Sequence, residues 1–111
     1  MTPVLDTGAT TLGLAGTLTY GAGSNGLGST LKGHLDLGTA NRTFNIGNST
    51  NAVVDMRVEA AISGSGGITK TGAGTLELAG ANTLAGPVSI SAGILRLSHP
   101  NALGTAASLT F

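Results

Sequence analysis

Apolar residues along this chain alternate with polar ones, and they do so in short bursts. In Thr75-Leu76-Glu77-Leu78 and Ile94-Leu95-Arg96-Leu97 every second residue shares a face, the period of a half-buried strand. Apolar residues nowhere recur at helical spacing, and Gly or Asn interrupts every stretch before a helix could extend. The pattern predicts strands at Thr11–Tyr20 (broken near Gly16), Leu31–Leu37, Arg42–Ile46, Val53–Ile62, Ile68–Thr71, Thr75–Leu78, Val88–Ile90, Ile94–Leu97 and Ser108–Phe111. Turn clusters such as "GAGSNGLG", "GNSTN", "SGSGG" and "SHPNALG" separate them.

The bursts repeat. "AGTLELAGANTLAG" (Ala73–Gly86) aligns without a gap on "AGILRLSHPNALGT" (Ala92–Thr105) at an offset of 19 residues. Gly74 then meets Gly93, Leu76 meets Leu95, Leu78 meets Leu97, Asn82 meets Asn101 and Leu84 meets Leu103. "AGTLTYGAGSNGLG" (Ala15–Gly28) shows the same pattern with one residue inserted before Asn25, and Ala15 precedes Ala92 by close to four periods. Asp36–Ile62 keeps the rhythm but not the letters. A period near ~20 residues without a helical half predicts an all-β solenoid, with parallel strands stacked in register at ~4.8 Å. We expect about five coils of roughly 19–22 residues. Each side of a narrow coil is short, and Gly and Asn suit its corners, where Asn amides can form ladders between coils.

Composition narrows the function classes. Five basic residues balance five acidic ones, and only 9% of residues are charged, which argues against nucleic acid and anionic membrane surfaces as partners. Aromatic residues make up 3%, so the core is expected to be narrow and built from Leu, Ile, Val and Ala. The absence of Cys excludes disulfides, Cys-based zinc sites and thiol nucleophiles. "MTPVLDTG" carries neither a basic nor an apolar leader region, no apolar run approaches the ~18 residues of a membrane helix, and the strands are shorter than the ~9–11 residues of membrane barrels.

The run "GGITKTGAGTLELAGANTLAGPVSISAGILRLSHPNALG" resembles the autotransporter-associated β-strand repeat of bacterial passenger regions. The resemblance is carried by Gly66-Gly67-Ile68-Thr69-Lys70-Thr71-Gly72-Ala73-Gly74-Thr75-Leu76, Gly80-Ala81-Asn82-Thr83, Ala92-Gly93 with Leu95, and Asn101-Ala102-Leu103-Gly104, and is clearest over 67–104. Leu84, where the family usually has an aromatic, and Pro87 are mild departures. The resemblance implies a right-handed parallel β-helix, secreted or displayed at the bacterial cell surface, with no catalytic residues. It also implies that residues 1–111 are one segment of a longer passenger whose signal peptide and outer-membrane barrel lie outside this chain. Its expected partners are adjacent coils of the parent protein, with end-to-end self-association and an unidentified host or glycan ligand beside them.

Candidate chemistry is sparse. Gly21-Ala22-Gly23-Ser24-Asn25-Gly26 fits a dinucleotide fingerprint, but the helix that should follow is absent from "LGSTLKGHLDLG". Asp36 and Asp55 are 19 residues apart and could stack on neighbouring coils at the ~5 Å used by retaining glycosidases. Their mutual repulsion, and the lack of aromatics for a sugar platform, favour two solvated residues instead. His34 and His99 lack converging ligands, Lys32, Arg57 and Lys70 form no basic stripe, and Asn41-Arg42-Thr43 and Asn48-Ser49-Thr50 read as polar turns. No catalytic, cofactor-binding or metal residue is expected, and no cofactor. Alternation places Leu76 and Leu78 inside and Glu77 and Arg96 outside, with Arg96 above Glu77 as an exposed ion pair. The favoured function is a rigid stalk segment that assists export by folding coil by coil. The alternative is a glycan-facing adhesin module or a polysaccharide-active β-helix.

Overall fold

The computed structural model of the chain describes residues 4–14, 16–20, 29–48, 54–104 and 109–110. The strands are β1 (Val4–Gly13), β2 (Leu18–Tyr20), β3 (Ser29–Asp36), β4 (Arg42–Ile46), β5 (Met56–Val58), β6 (Ala61–Ser63), β7 (Ile68–Thr71), β8 (Thr75–Leu78), β9 (Val88–Ile90), β10 (Ile94–Leu97) and β11 (Leu109–Thr110). All pairings are parallel. One sheet runs β1-β3-β5-β8-β10, with β6 beside the second half of β3, and the other runs β2-β4-β7-β9-β11. The chain therefore passes from one sheet to the other in each coil, and each sheet is five rungs deep. Among the described residues there is no helix. This is the all-β, parallel β-solenoid expected from the alternating pattern.

The coil lengths differ along the stack. Leu76 pairs with Leu95 and Met56 with Leu76, and the second of these registers sets Arg57 beside Glu77 at a separation of 20 residues. Upstream, Ser29 pairs with Met56, Arg42 with Ile68 and Val4 with Thr30, and the steps are longer, as in the 26 residues that separate Asn41 from its neighbour Gly67. One bulge is visible in this part of the stack. β1 shifts register against β3 between Asp6 and Thr11, where Gly8 has a φ of 61° and its N–H bonds back to Asp6 Oδ1 at 2.9 Å. These insertions account for two misplaced expectations. The first strand already begins at Val4, ahead of the expected Thr11. The Ala15–Gly28 match is not a coil equivalent of Ala92–Thr105, because Leu18 joins β4 in one sheet whereas Leu95 joins β8 in the other. The stack is also less elongated than a stalk implies, at 35 × 32 × 26 Å. Five rungs at ~4.8 Å span roughly 19–24 Å, no more than the smallest of these dimensions.

The core is a set of in-register apolar columns. Leu31, Val58 and Leu78 stack in one sheet and are 2%, 0% and 0% exposed, and Ile68 and Val88 stack in the other at 0%. Leu37, Ala60, Leu84 and Ala102 fill the corners, and Phe44 and Met56 are the bulkier members of a core otherwise made of Leu, Ile, Val and Ala. Each fully buried Leu, Ile or Val contributes about 1.5–3 kcal/mol relative to exposure.

Gly66-Gly67 shows why one corner excludes side chains. A Cβ on Gly67 would sit 1.9 Å from the Pro87 carbonyl oxygen, and one on Gly66 would sit 2.0 Å from that of Ala40. The close backbone approach of neighbouring coils, and not an unusual φ, requires glycine here.

Candidate functional site

The outward face of the first sheet carries a ladder of alternating charge. Lys32 Nζ lies 3.8 Å from Glu59 Oε1, Arg57 Nε lies 2.8 Å from Glu59 Oε2, and Arg57 Nη1 lies 2.6 Å from Glu77 Oε1. Arg96 Nε closes the series 3.5 Å from Glu77 Oε2. The strand registers build it: Arg57 pairs with Glu77 and Glu77 with Arg96, while alternation turns all three away from the apolar columns. Arg57 is held more firmly in its charged form, first by the hydrogen bond to Glu59, which outweighs desolvation, and further by Glu77.

The structure confirms the inward leucines and the Arg96–Glu77 register, but it corrects the exposure of Glu77. Leu76 and Leu78 are fully buried, and Glu77 is itself only 4% exposed. Its burial is lateral. Two arginines, one from each adjacent rung, close over a carboxylate that still faces away from the core.

A second polar group lies inside the coil. Lys70 is fully buried, and its ammonium donates to the carbonyls of Thr71 at 2.8 Å, Gly72 at 2.9 Å and Ala92 at 3.2 Å. Gly72 and Gly93 turn equivalent corners with φ of 80° and 72°, and Lys70 supplies the donors that these corner carbonyls need. A Cβ on Gly93 would come 2.6 Å from Lys70 Nζ. Burial lowers the Lys70 pKa, partly opposed by the charge of Asp55. The signal was present in the sequence: in Ile68-Thr69-Lys70-Thr71, Lys70 has the parity of Ile68 and must face inward with it.

Asp36 and Asp55 do not stack. Asp36 pairs with Ser63, and Asp55 precedes β5, so the 19-residue spacing found in the sequence fails where the coil is longer. Asp36 Oδ1 accepts from Gly38 N–H at 2.9 Å, and the buried Asp55 accepts from Thr75 N–H at 2.7 Å. Asp36 holds a turn, and Asp55 ties its coil to the start of β8 in the next. His34 Nδ1 contacts the Gly8 carbonyl oxygen at 3.0 Å, and His99 Nδ1 accepts from Asn101 N–H at 3.0 Å, far from one another in the stack. Among the described residues no three of His, Cys, Asp or Glu converge on a metal position. The Gly21–Gly26 fingerprint lies outside the described residues, as do Ser49 and Thr50 of the second sequon. In the first sequon, Asn41 Oδ1 accepts from Gly67 N–H of the next coil at 2.9 Å.

Asn82 links its coil to both neighbours, though through backbone groups and not through the amide of Asn101. Its Oδ1 accepts from Ile62 N–H at 2.9 Å on one side, and its Nδ2 donates to the Ala102 carbonyl at 2.5 Å on the other. No buried side-chain polar atom is left unpaired among the described residues. The polar groups thus join coil to coil, which is the work of a structural repeat and defines a β-solenoid segment built for continuous stacking.

Residues 68–97 match the family model described as the passenger-associated-transport-repeat, which spans the well-repeated coils of β7 to β10. The chain is also similar to the adhesin BmaC autotransporter of Brucella suis biovar 1 (strain 1330), at 36% identity over 74 residues. That match covers 67% of this chain and 2% of the relative, so the chain spans a small part of the length of the curated protein it matches. No solved structure matches. The segment is a structural repeat of an autotransporter passenger.

Proposed function

We propose that the chain is a non-enzymatic, load-transmitting segment of a secreted or surface-exposed passenger, anchored through an outer-membrane barrel elsewhere in the parent protein. It extends the passenger and assists export by folding one coil at a time. The observation that supports this reading is the unbroken column Leu31, Val58, Leu78, Leu97, in which each coil finishes the burial of the one before it. Stability in such a stack is a sum of nearest-neighbour terms, so folding can propagate from one end and disfavour return through the membrane.

The test places the chain between a surrogate signal peptide and barrel and follows surface arrival by protease accessibility. Val58→Ala and Leu78→Ala, which open the column, should slow arrival in proportion to lost stability. Unchanged arrival of variants that no longer fold would refute the export role.

The adhesin module is the second reading, favoured by the relative that carries that name. Glycan-array binding by the isolated chain would support it. Asp36 and Asp55, the pair considered for a polysaccharide-cleaving form, occupy different positions in the coil.

A further inference from the structure

Two neighbouring strands of the second sheet repeat every two residues. β7 reads Ile68-Thr69-Lys70-Thr71, and β9 with the residue after it reads Val88-Ser89-Ile90-Ser91. Ile68 pairs with Val88, Thr69 with Ser89 and Lys70 with Ile90, and the Ser91 N–H extends the ladder to the Lys70 carbonyl at 2.9 Å. A slip of one residue would turn every inward side chain outward. A slip of two would keep each side chain on its face. In one direction it sets Ile68 against Ile90 in place of Val88, a change of one methylene, and Thr69 against Ser91 in place of Ser89, no change at all. In the other it sets Lys70 against Val88 and Thr71 against Ser89. Apolar burial and the outward hydroxyls therefore discriminate weakly between the registers of these strands.

Lys70 breaks the repetition. It holds an inward position, in register with Phe44 on one side and Ile90 on the other, and is fully buried. Two acceptors of its ammonium, the carbonyls of Thr71 and Gly72, belong to its own corner. The third, the Ala92 carbonyl at 3.2 Å, belongs to the corner of the next coil. Only the third depends on the register. Moving β9 by two residues would carry that carbonyl about 6.6 Å along the strand, out of hydrogen-bond reach. An ammonium with no access to water would then lack one of its partners, which is far costlier than a misplaced methylene. On the first sheet the pairing of Arg96 with Glu77 resists the same slip. Within β7 and β9 the difference rests on Lys70.

We propose that Lys70 selects the stacking register of the second sheet: by requiring the Ala92 carbonyl of the next coil, its buried ammonium admits one alignment of β9 on β7 and rejects the two-residue slips that the rest of both strands would tolerate. A buried polar group that fixes register in an otherwise repetitive apolar seam is a known use of such groups. This choice of register is a property of the folded coil, whatever its route out of the cell.

The chain has no Cys, so pairs of outward thiols report the register. Thr69→Cys with Ser89→Cys joins in-register neighbours at ~4.8 Å, within the ~4.4–6.8 Å Cα separation that a disulfide accepts. Thr69→Cys with Ser91→Cys, and Thr71→Cys with Ser89→Cys, join diagonal neighbours about 7–8 Å apart, which close readily only after a slip in one direction or the other. Each pair is refolded from urea in a glutathione redox buffer, with Lys70 in place and with Lys70→Met. With Lys70 the in-register pair should close and both diagonal pairs should stay largely open. Lys70→Met should raise closure of at least one diagonal pair, relative to the in-register pair, by about tenfold or more, the weight of one hydrogen bond to a charged group. If Lys70→Met loses its β-type circular dichroism, Lys70→Leu gives the same reading. An unchanged ratio in the variant, or equal closure of in-register and diagonal pairs with Lys70 present, would overturn the proposal. So would loss of β-structure in both Lys70 variants, because the ammonium would then be a condition of folding and not a choice between registers.

Discussion

Glu77→Ala tests whether the outward ladder holds the coils together or merely decorates them. Read as an exposed pair, Glu77 would be worth only about 0.2–1 kcal/mol. The structure argues for more. The carboxylate is nearly buried and binds Arg57 at 2.6 Å and Arg96 at 3.5 Å from opposite sides. A hydrogen bond to a charged group contributes about 1.5–3 kcal/mol. Both arginines stay substantially exposed, at 43% and 56% of the side chain, and Arg57 keeps Glu59, so neither is left as a buried orphan. Solvent screening therefore reduces the expected loss to about 1–2 kcal/mol. In urea, with a mid-range slope of about 2 kcal/mol per molar, this moves the midpoint by roughly 0.5–1 M. A double-mutant cycle of Glu77→Ala with Arg57→Ala should recover most of it as coupling, and ~0.5 M salt should remove little. A loss below about 0.5 kcal/mol with no coupling would show that the lateral burial of Glu77 is energetically idle.

The remaining predictions concern the interior. Leu76→Ala should cost roughly 2–5 kcal/mol in the same urea titration, because the side chain is fully buried between coils. Lys70 has a folded-state pKa below its ordinary value of about 10.4, so the unfolded chain binds more protons in the interval between the two. Its contribution to stability is therefore fully present above about pH 10.4 and is lost as pH falls through the lowered value, and Lys70→Met should abolish that slope in pH-dependent unfolding. Gly67→Ala should cost about 3 kcal/mol or more in thermal unfolding, since the new Cβ meets backbone atoms of Pro87. Gly16→Ala, with nothing within 4 Å of its Cβ position, should change stability by less than about 1 kcal/mol.

The C-terminal coils were legible because β8 and β10 are successive rungs of equal build, so the letter match between Ala73–Gly86 and Ala92–Thr105 is also the physical register. Alternation alone placed Leu76 and Leu78 inside. Upstream, the same alternation says which way a side chain faces but not which residue lies beside it. The bulge between Asp6 and Thr11 and the longer coils around residues 37–55 change the neighbour without disturbing the pattern. That is why Asp36 and Asp55 looked stackable, and why Leu18 looked equivalent to residues of the opposite sheet. Glu77 was misjudged for a related reason: exposure on a solenoid face depends on the rungs above and below, and Arg57 sits 20 residues away. Lys70 needed only the parity of Ile68, but a lysine read by its charge is assigned to the surface.

Residues 56–97 wind as coils, so that side chains one full turn of the chain apart become neighbours, and amide-proton nuclear Overhauser spectroscopy reads this directly. Cross-strand contacts are expected between Leu76 and Leu95, Met56 and Leu76, and Ile68 and Val88, with none of the ladder contacts of a hairpin between the consecutive strands β7 and β8. Antiparallel contacts between Ile68–Thr71 and Thr75–Leu78, in place of the long-range parallel set, would contradict it.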